Sequence, residues 1–270
     1  MSDTNLIGEV RRLLSLMHQG KPIELGAIPS ASPVLAFGDP LSSSVATLGL
    51  NPSNLEFLDK SGNELVETCR RFESLNTLEA SDWNAVSLQG VGQIWQRCEG
   101  YFQRNPYDRW FKQLERILVD TGASYYATLG ERACHLDLVP FATAKKWSDL
   151  KPVVRAQLID LGTPSLVKVL VSSDIRVLIL NGATVVKEFS RLIPGQPLQA
   201  DPMPSWSLQN GRVGGTAYFG RVNRLGQFEL GRELLVLGFN HNIQSTFGMT
   251  AEVKSRIASW IGQISESALV

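Results

Sequence analysis

VATLGLNPSNLEF, residues 45–57, contains the feature that decides the fold: a short apolar run that stops at Asn51-Pro52. Such a run, bounded by a turn signal, is typical of a strand buried on both faces of a parallel sheet. Including Val45–Leu50, the sequence has four such runs. The others are Ala133–Val139, Ile175–Leu180 and Leu234–Phe239. They predict the strands of one mostly parallel sheet.

Amphipathic segments flank and separate these runs. Apolar residues at helical spacing predict helices over 4–18, 107–120 and 250–264. Thr163-Pro164 resembles an N-cap followed by proline at N1, which predicts a further helix that ends at about Ser172. Strands that alternate with helices indicate an α/β fold. We therefore expect a three-layer α/β/α architecture with a central four-stranded, mostly parallel sheet.

Two regions depart from this alternation. Residues 1–43 form an N-terminal helix and loop extension, and residues 194–232, rich in proline and glycine, predict an inserted loop and β-hairpin before the last strand. The sequence has no internal repeat. We expect one domain over residues 1–270.

Composition narrows the functional class. The 270 residues carry a formal net charge of +0, so any nucleic-acid contact must use a local basic patch. The three cysteines are dispersed and indicate neither a metal site nor a disulfide framework. No apolar run is long enough to span a membrane. We expect a cytoplasmic monomer that binds no metal, no cofactor and no membrane.

Polar residues follow the predicted strands at the edge where parallel sheets bind ligands. They are Asn51, Asp137, Asn181 and Asn240-His241. Each also has a structural interpretation: Asn51 as an Asx-turn residue, Asp137 as an acid bonded to backbone donors, and His241 as an ordinary loop histidine. Their convergence on one edge favours a binding site.

Three of these segments resemble motifs of the uracil-DNA glycosylase superfamily. GLNPS (Gly49–Ser53) resembles the first motif of its mismatch-specific and single-strand-selective branches, GxNPG, with Ser53 in place of the second glycine. DLVPFAT (Asp137–Thr143) resembles the base-reading segment, which begins with Asn. NHNIQSTFG (Asn240–Gly248) resembles the second motif, HPSP, without its prolines. The resemblance spans roughly residues 44–265.

The resemblance implies hydrolysis of the N-glycosidic bond of a flipped pyrimidine in DNA, which leaves an abasic site. It makes Asn51 and His241 the catalytic residues, with Asn51 orienting water and His241 donating a hydrogen bond to the departing base. Asp137, Phe57 and Asn181 would contact the base. For Phe57, a place in the hydrophobic core is an equal alternative.

The same resemblance implies a set of DNA contacts. Ile243 or Gln244 would fill the gap that the extracted base leaves, and Ser245 and Thr246 would bind phosphates. Lys145 and Lys146, beside Trp147, form either a phosphate-binding patch or solvated surface. The expected DNA contacts are Ser53, Lys145, Lys146, Ile243, Gln244, Ser245 and Thr246.

Asp137 suggests which base the protein would recognise. An asparagine reads uracil, whereas a protonated carboxyl accepts from cytosine N4–H and donates to N3, provided that burial raises its pKa. We therefore expect a modified cytosine, since the superfamily includes phage-defence enzymes that remove glucosylated hydroxymethylcytosine. The alternatives are a repair glycosylase for uracil or damaged uracil, and an inactive nucleic-acid-binding relative. A Rossmann nucleotide site is not indicated, because no GxGxxG or Walker pattern follows the first strand.

Overall fold

The computed structural model describes residues 2–244 and 249–269, and these divide into two compact units. One unit comprises residues 2–41, Leu50–Pro106 and Leu136–Ser173. The other comprises Ser42–Gly49, Tyr107–His135, 174–244 and 249–269. Each unit is assembled from separate stretches of chain, and we call them the helical unit and the sheet unit.

The sheet unit is built on six strands in the order β2-β1-β3-β6-β5-β4. Their bounds are Ser43–Gly49 (β1), Arg132–Asp137 (β2), Val177–Asn181 (β3), Gln199–Leu208 (β4), Val213–Leu225 (β5) and Phe228–Phe239 (β6). The last two residues of β2, Leu136 and Asp137, are assigned to the helical unit.

The centre of the sheet confirms the strands predicted from apolar runs. β1, β3 and β6 are parallel, with Val45 opposite Val177 and Val177 opposite Leu235. Every residue of β1 is buried, as expected for a strand covered on both faces. The mixed α/β class is therefore confirmed.

The predicted four-stranded sheet is wrong, because residues 194–232 add to the sheet itself. β5 pairs antiparallel with β6, and β4 pairs antiparallel with β5. Gly226, at φ +58°, begins the two-residue connection from β5 to β6, a position that favours glycine. The predicted hairpin is thus the outer part of one continuous six-stranded sheet.

The sheet unit also contains α4 (Asp108–Leu118), α6 (Ala183–Ser190) and α7 (Ala251–Leu269). The helix predicted over 250–264 is confirmed with a longer C-terminal end. Thr250 Oγ1 accepts a hydrogen bond from the backbone N–H of Val253 at 3.1 Å, which caps α7. α7 packs against α4.

The helical unit contains α1 (Ser2–His18), α2 (Lys21–Glu24), α3 (Leu88–Glu99) and α5 (Pro152–Ser172). The apolar face predicted for α1 is buried. Ser165 on α5 donates to Glu9 at 2.6 Å and accepts from Arg12 at 2.9 Å, so a buried polar contact joins α1 to α5. In the described part of the chain, no helix combines the length and the apolar character needed to cross a membrane.

The predicted start of α5 is wrong. The helix begins at Pro152, and Pro164 lies inside it. Thr163 is not an N-cap, since its hydroxyl donates to the carbonyl of Ile159 one turn earlier at 2.8 Å. The proline that occupies the first turn, where a missing N–H costs nothing, is Pro152.

Candidate active site

Asn51 lies just beyond β1, and its side-chain amide is held by the loop that follows β2. Its Nδ2 faces three oxygens: the Thr143 hydroxyl at 3.0 Å, the Pro52 carbonyl at 3.1 Å and the Phe141 carbonyl at 3.3 Å. The Thr143 hydroxyl donates to the carbonyl of Lys145 at 2.7 Å, so towards Asn51 it accepts. Oxygens around one end of an amide identify that end as the nitrogen.

This arrangement leaves Asn51 Oδ1 as an acceptor. Among residues 2–244 and 249–269, none donates a hydrogen bond to it. The half-buried side chain is therefore a fixed carbonyl acceptor rather than an Asx-turn residue. A group of this kind can orient a water molecule by accepting one of its hydrogens.

Asp137 ends β2, the strand that neighbours β1. Backbone hydrogen bonds hold the segment that follows Asp137. The N–H of Val139 donates to the carbonyl of Leu50 at 3.0 Å, and the N–H of Val34 donates to the carbonyl of Pro140 at 2.8 Å. The first two motif segments, around Asn51 and Asp137, are thus brought together in the helical unit.

Glu56 is a buried acid that the sequence interpretation missed. Its side chain is 3% exposed, and Oε2 accepts from the Tyr101 hydroxyl at 2.8 Å and lies 3.8 Å from Arg71 Nε. Burial raises the pKa of Glu56 from its ordinary 4.5 to about 7. The Tyr101 bond and the Arg71 charge lower this pKa, and the charge of Asp137 raises it. The only signal in the sequence is a lone acid in an apolar context, NLEFL.

We expect the burial of Glu56 to make the unfolding free energy depend on pH. The folded-state pKa of Glu56 exceeds its ordinary value, so its stabilising contribution is complete below about pH 4.5 and is lost as pH rises through 7. Relative to Glu56→Gln, wild type should lose on the order of 3 kcal/mol between pH 5 and 8. Urea unfolding across this range measures the difference. The exposed Glu24→Gln variant is the control, and parallel curves for wild type and Glu56→Gln would contradict the expectation.

Phe57 belongs to a stack of aromatic rings. It is 5% exposed and lies 5.6 Å from Phe72, which in turn stacks on Tyr101 at 5.2 Å. Its packing is that of a core aromatic, the alternative weighed for it from sequence. One face of the Phe57 ring is covered by Phe72.

The remaining DNA-contact candidates of the helical unit lie at the surface. Lys145 and Lys146 are exposed, and neither forms an ion pair with a described residue. Ser53 is exposed, and its hydroxyl accepts from the backbone N–H of Leu55 at 3.2 Å. It therefore caps the 3₁₀ turn Asn54–Glu56 and remains accessible.

His241 belongs to the sheet unit, where it is 3% exposed. Its Nε2 lies 2.7 Å from the carbonyl oxygen of Trp206 on β4. A carbonyl only accepts, so Nε2 carries the hydrogen, and in the neutral ring Nδ1 is then an acceptor. In this conformation only a protonated imidazole has a second N–H to donate.

Asn181, at the end of β3, contacts Gln244. Its Nδ2 donates to Gln244 Oε1 at 3.4 Å, while Asn181 Oδ1 and Gln244 Nε2 are buried without a hydrogen-bond partner among the described residues. Ile243 is fully buried. Neither Ile243 nor Gln244 therefore projects as a wedge in this conformation, contrary to expectation. Ser245 and Thr246 lie outside the described residues.

Sequence comparison adds no relative. No model of a known protein family matches this sequence, and no curated protein matches it. Within the described residues, no group of three or more His, Cys, Asp or Glu side chains could hold a metal ion.

Proposed function

We propose that this protein is a DNA glycosylase that hydrolyses the N-glycosidic bond of a flipped, modified cytosine. The observation that carries the proposal is the environment of Asn51, whose Nδ2 is held by three oxygens so that Oδ1 is an acceptor. Asp137 ends the neighbouring strand, where it can read a base while Asn51 orients water.

The reaction follows from these residue types. The bond between C1′ and the base nitrogen breaks through an oxocarbenium-like state, and the electron pair leaves with the base. Water, held by Asn51 Oδ1, adds to C1′ and loses a proton to solvent. An amide suffices for this step, because a late-attacking water needs orientation more than deprotonation.

In this proposal, Asp137 selects the base. As a neutral acid its carbonyl accepts from cytosine N4–H and its hydroxyl donates to N3, which also stabilises the departing base. Such an enzyme would act in the cytoplasm as a monomer. Its fold would have helices on both faces of the sheet.

Base release from defined oligonucleotides tests the proposal. Single- and double-stranded oligonucleotides would carry uracil, cytosine, hydroxymethylcytosine or its glucosylated form, and alkaline cleavage would reveal abasic sites. We expect release of a modified cytosine. In Asp137→Asn this release should fall about 10- to 100-fold, as loss of a two-bond base contact implies, and uracil release should rise.

Two other outcomes would redirect the assignment. Uracil as the only base released would identify a repair enzyme in which Asp137 is structural. No release of any base, with retained DNA binding, would identify an inactive nucleic-acid-binding protein.

A further inference from the structure

Three exposed lysines follow the segment that holds Asn51. Lys145, Lys146 and Lys151 lie close together in sequence, and the one acid among them is Asp149. Among the described residues, no acid forms an ion pair with any of the three lysines. In a chain whose formal net charge is +0, this basic loop (residues 145–151) is a local positive patch of the kind that binds a polyanion.

The backbone of the basic loop is held in place from inside the helical unit. Trp147, at its centre, is 7% exposed, and Trp147–Asp149 form a 3₁₀ turn. Arg155 on α5 donates from Nε to the carbonyl of Leu150 at 3.0 Å and from Nη2 to the carbonyl of Ser148 at 2.7 Å. The lysines therefore extend from a fixed backbone, which a ligand need not order when it binds.

Thr143 connects the basic loop to Asn51. Its side chain is buried, and its hydroxyl donates its single hydrogen to the carbonyl of Lys145 at 2.7 Å. Towards Asn51 Nδ2, at 3.0 Å, the same oxygen accepts. One buried hydroxyl thus supports both the backbone of Lys145 and the orientation of the Asn51 amide.

We propose that the basic loop binds the phosphate backbone of DNA, and that Thr143 is the positioning residue that keeps the bound strand in register with Asn51. The second half of this inference rests on the proposed function. A DNA strand carries one phosphate per nucleotide, so the ammonium groups of one loop can bind neighbouring phosphates at once. Such contacts carry no base information, and they place the strand while the base is selected elsewhere.

The salt dependence of DNA binding tests the surface without any measurement of activity. Fluorescence anisotropy would follow labelled single- and double-stranded oligonucleotides between about 50 and 300 mM NaCl. In Lys145→Gln/Lys146→Gln, the slope of log K against log salt should become less steep by about 1.5, because each phosphate contact contributes about 0.7–0.9. Near 0.1 M salt the affinity should fall about 25- to 60-fold. Adding Lys151→Gln should reduce the slope by about 0.8 more.

Lys60→Gln/Lys187→Gln is the matched control, since it removes the same charge from two exposed lysines outside the basic loop. Its slope should equal that of wild type. If the two double variants have equal slopes, the loop is ordinary solvated surface and the assignment is wrong. Binding to phosphatidylserine vesicles that matches the binding to DNA, and is lost in Lys145→Gln/Lys146→Gln, would overturn DNA as the partner and assign the loop to a membrane.

Single-turnover base release tests the role of Thr143. Thr143→Val keeps the shape of the side chain but removes the hydroxyl, so Lys145 and Asn51 lose their common support. The salt slope should stay unchanged, because every lysine remains. The rate at saturating DNA should fall about 10-fold, as the loss of one hydrogen bond implies. Thr143→Ser keeps the hydroxyl and should restore the rate. Equal rates for the two variants, at a temperature where both are folded, would show that the hydroxyl does not position Asn51.

The failure of this inference and the failure of the proposed function are distinguishable. If wild type releases no base, the proposed function fails, while the salt slopes still decide whether the basic loop binds DNA. If wild type releases a base but Lys145→Gln/Lys146→Gln binds DNA as the control does, the function stands and the phosphate surface is wrong.

Discussion

Replacing Asn51 with alanine is expected to slow base release about 100- to 1,000-fold, the loss typical of removing one preorganised polar group from an active site. The amide is fixed by the Thr143 hydroxyl and two backbone carbonyls, so its oxygen orients water without reorganisation. Single-turnover rates on the best substrate of the base panel measure the effect, and circular dichroism would verify the fold.

Two further variants test whether the effect is specific to the Asn51 amide. Asn51→Asp keeps an oxygen acceptor but places a carboxylate against three oxygens that now accept from Nδ2, so it should also lose activity. Asn84→Ala removes an exposed amide in the same unit and should leave the rate unchanged. A rate for Asn51→Ala within threefold of wild type would show that Asn51 does not orient the water.

The central strands and the terminal helices could be predicted from sequence because local patterns determine them. β1 and β3 are apolar runs, and α1 and α7 have apolar residues at helical spacing. β4 could not be predicted from sequence, because Pro202 and Pro204 make QADPMPSWSL resemble a loop. An edge strand tolerates proline where its missing N–H needs no partner, and β4 is the last strand of the sheet.

The candidate site could be predicted only as far as the strand ends. Asn51 lies just beyond β1 and Asp137 ends the adjacent strand β2, and parallel-sheet geometry predicts their proximity. Glu56 is different, because its burial depends on Tyr101, 45 residues away in sequence, and on the aromatic stack. No local pattern reports such contacts. The Trp206 contact of His241 has the same origin, since it depends on β4.

Gly162→Ala is expected to cost about 3 kcal/mol or more of unfolding free energy, at the upper end for overpacking. Gly162 lies in α5, where an added Cβ would lie 2.4 Å from the carbonyl oxygen of Leu138 and 3.0 Å from Val139 Cα. These are backbone atoms of the segment that follows Asp137, so no side-chain rotation relieves the clash. Urea denaturation measures the loss.

Gly92→Ala is the matched control, because Gly92 is also inside a helix of the same unit but has no atom within 4 Å of an added Cβ. There alanine should stabilise the protein by about 0.5–1 kcal/mol through its higher helix propensity. In Gly162→Ala, any protein that still folds must displace residues 138–140, and with them the Phe141 and Thr143 oxygens that hold Asn51. Base release should therefore fall even at temperatures where the variant is folded. A Gly162→Ala protein as stable and as active as Gly92→Ala would mean that α5 does not pack this closely against the 138–140 segment.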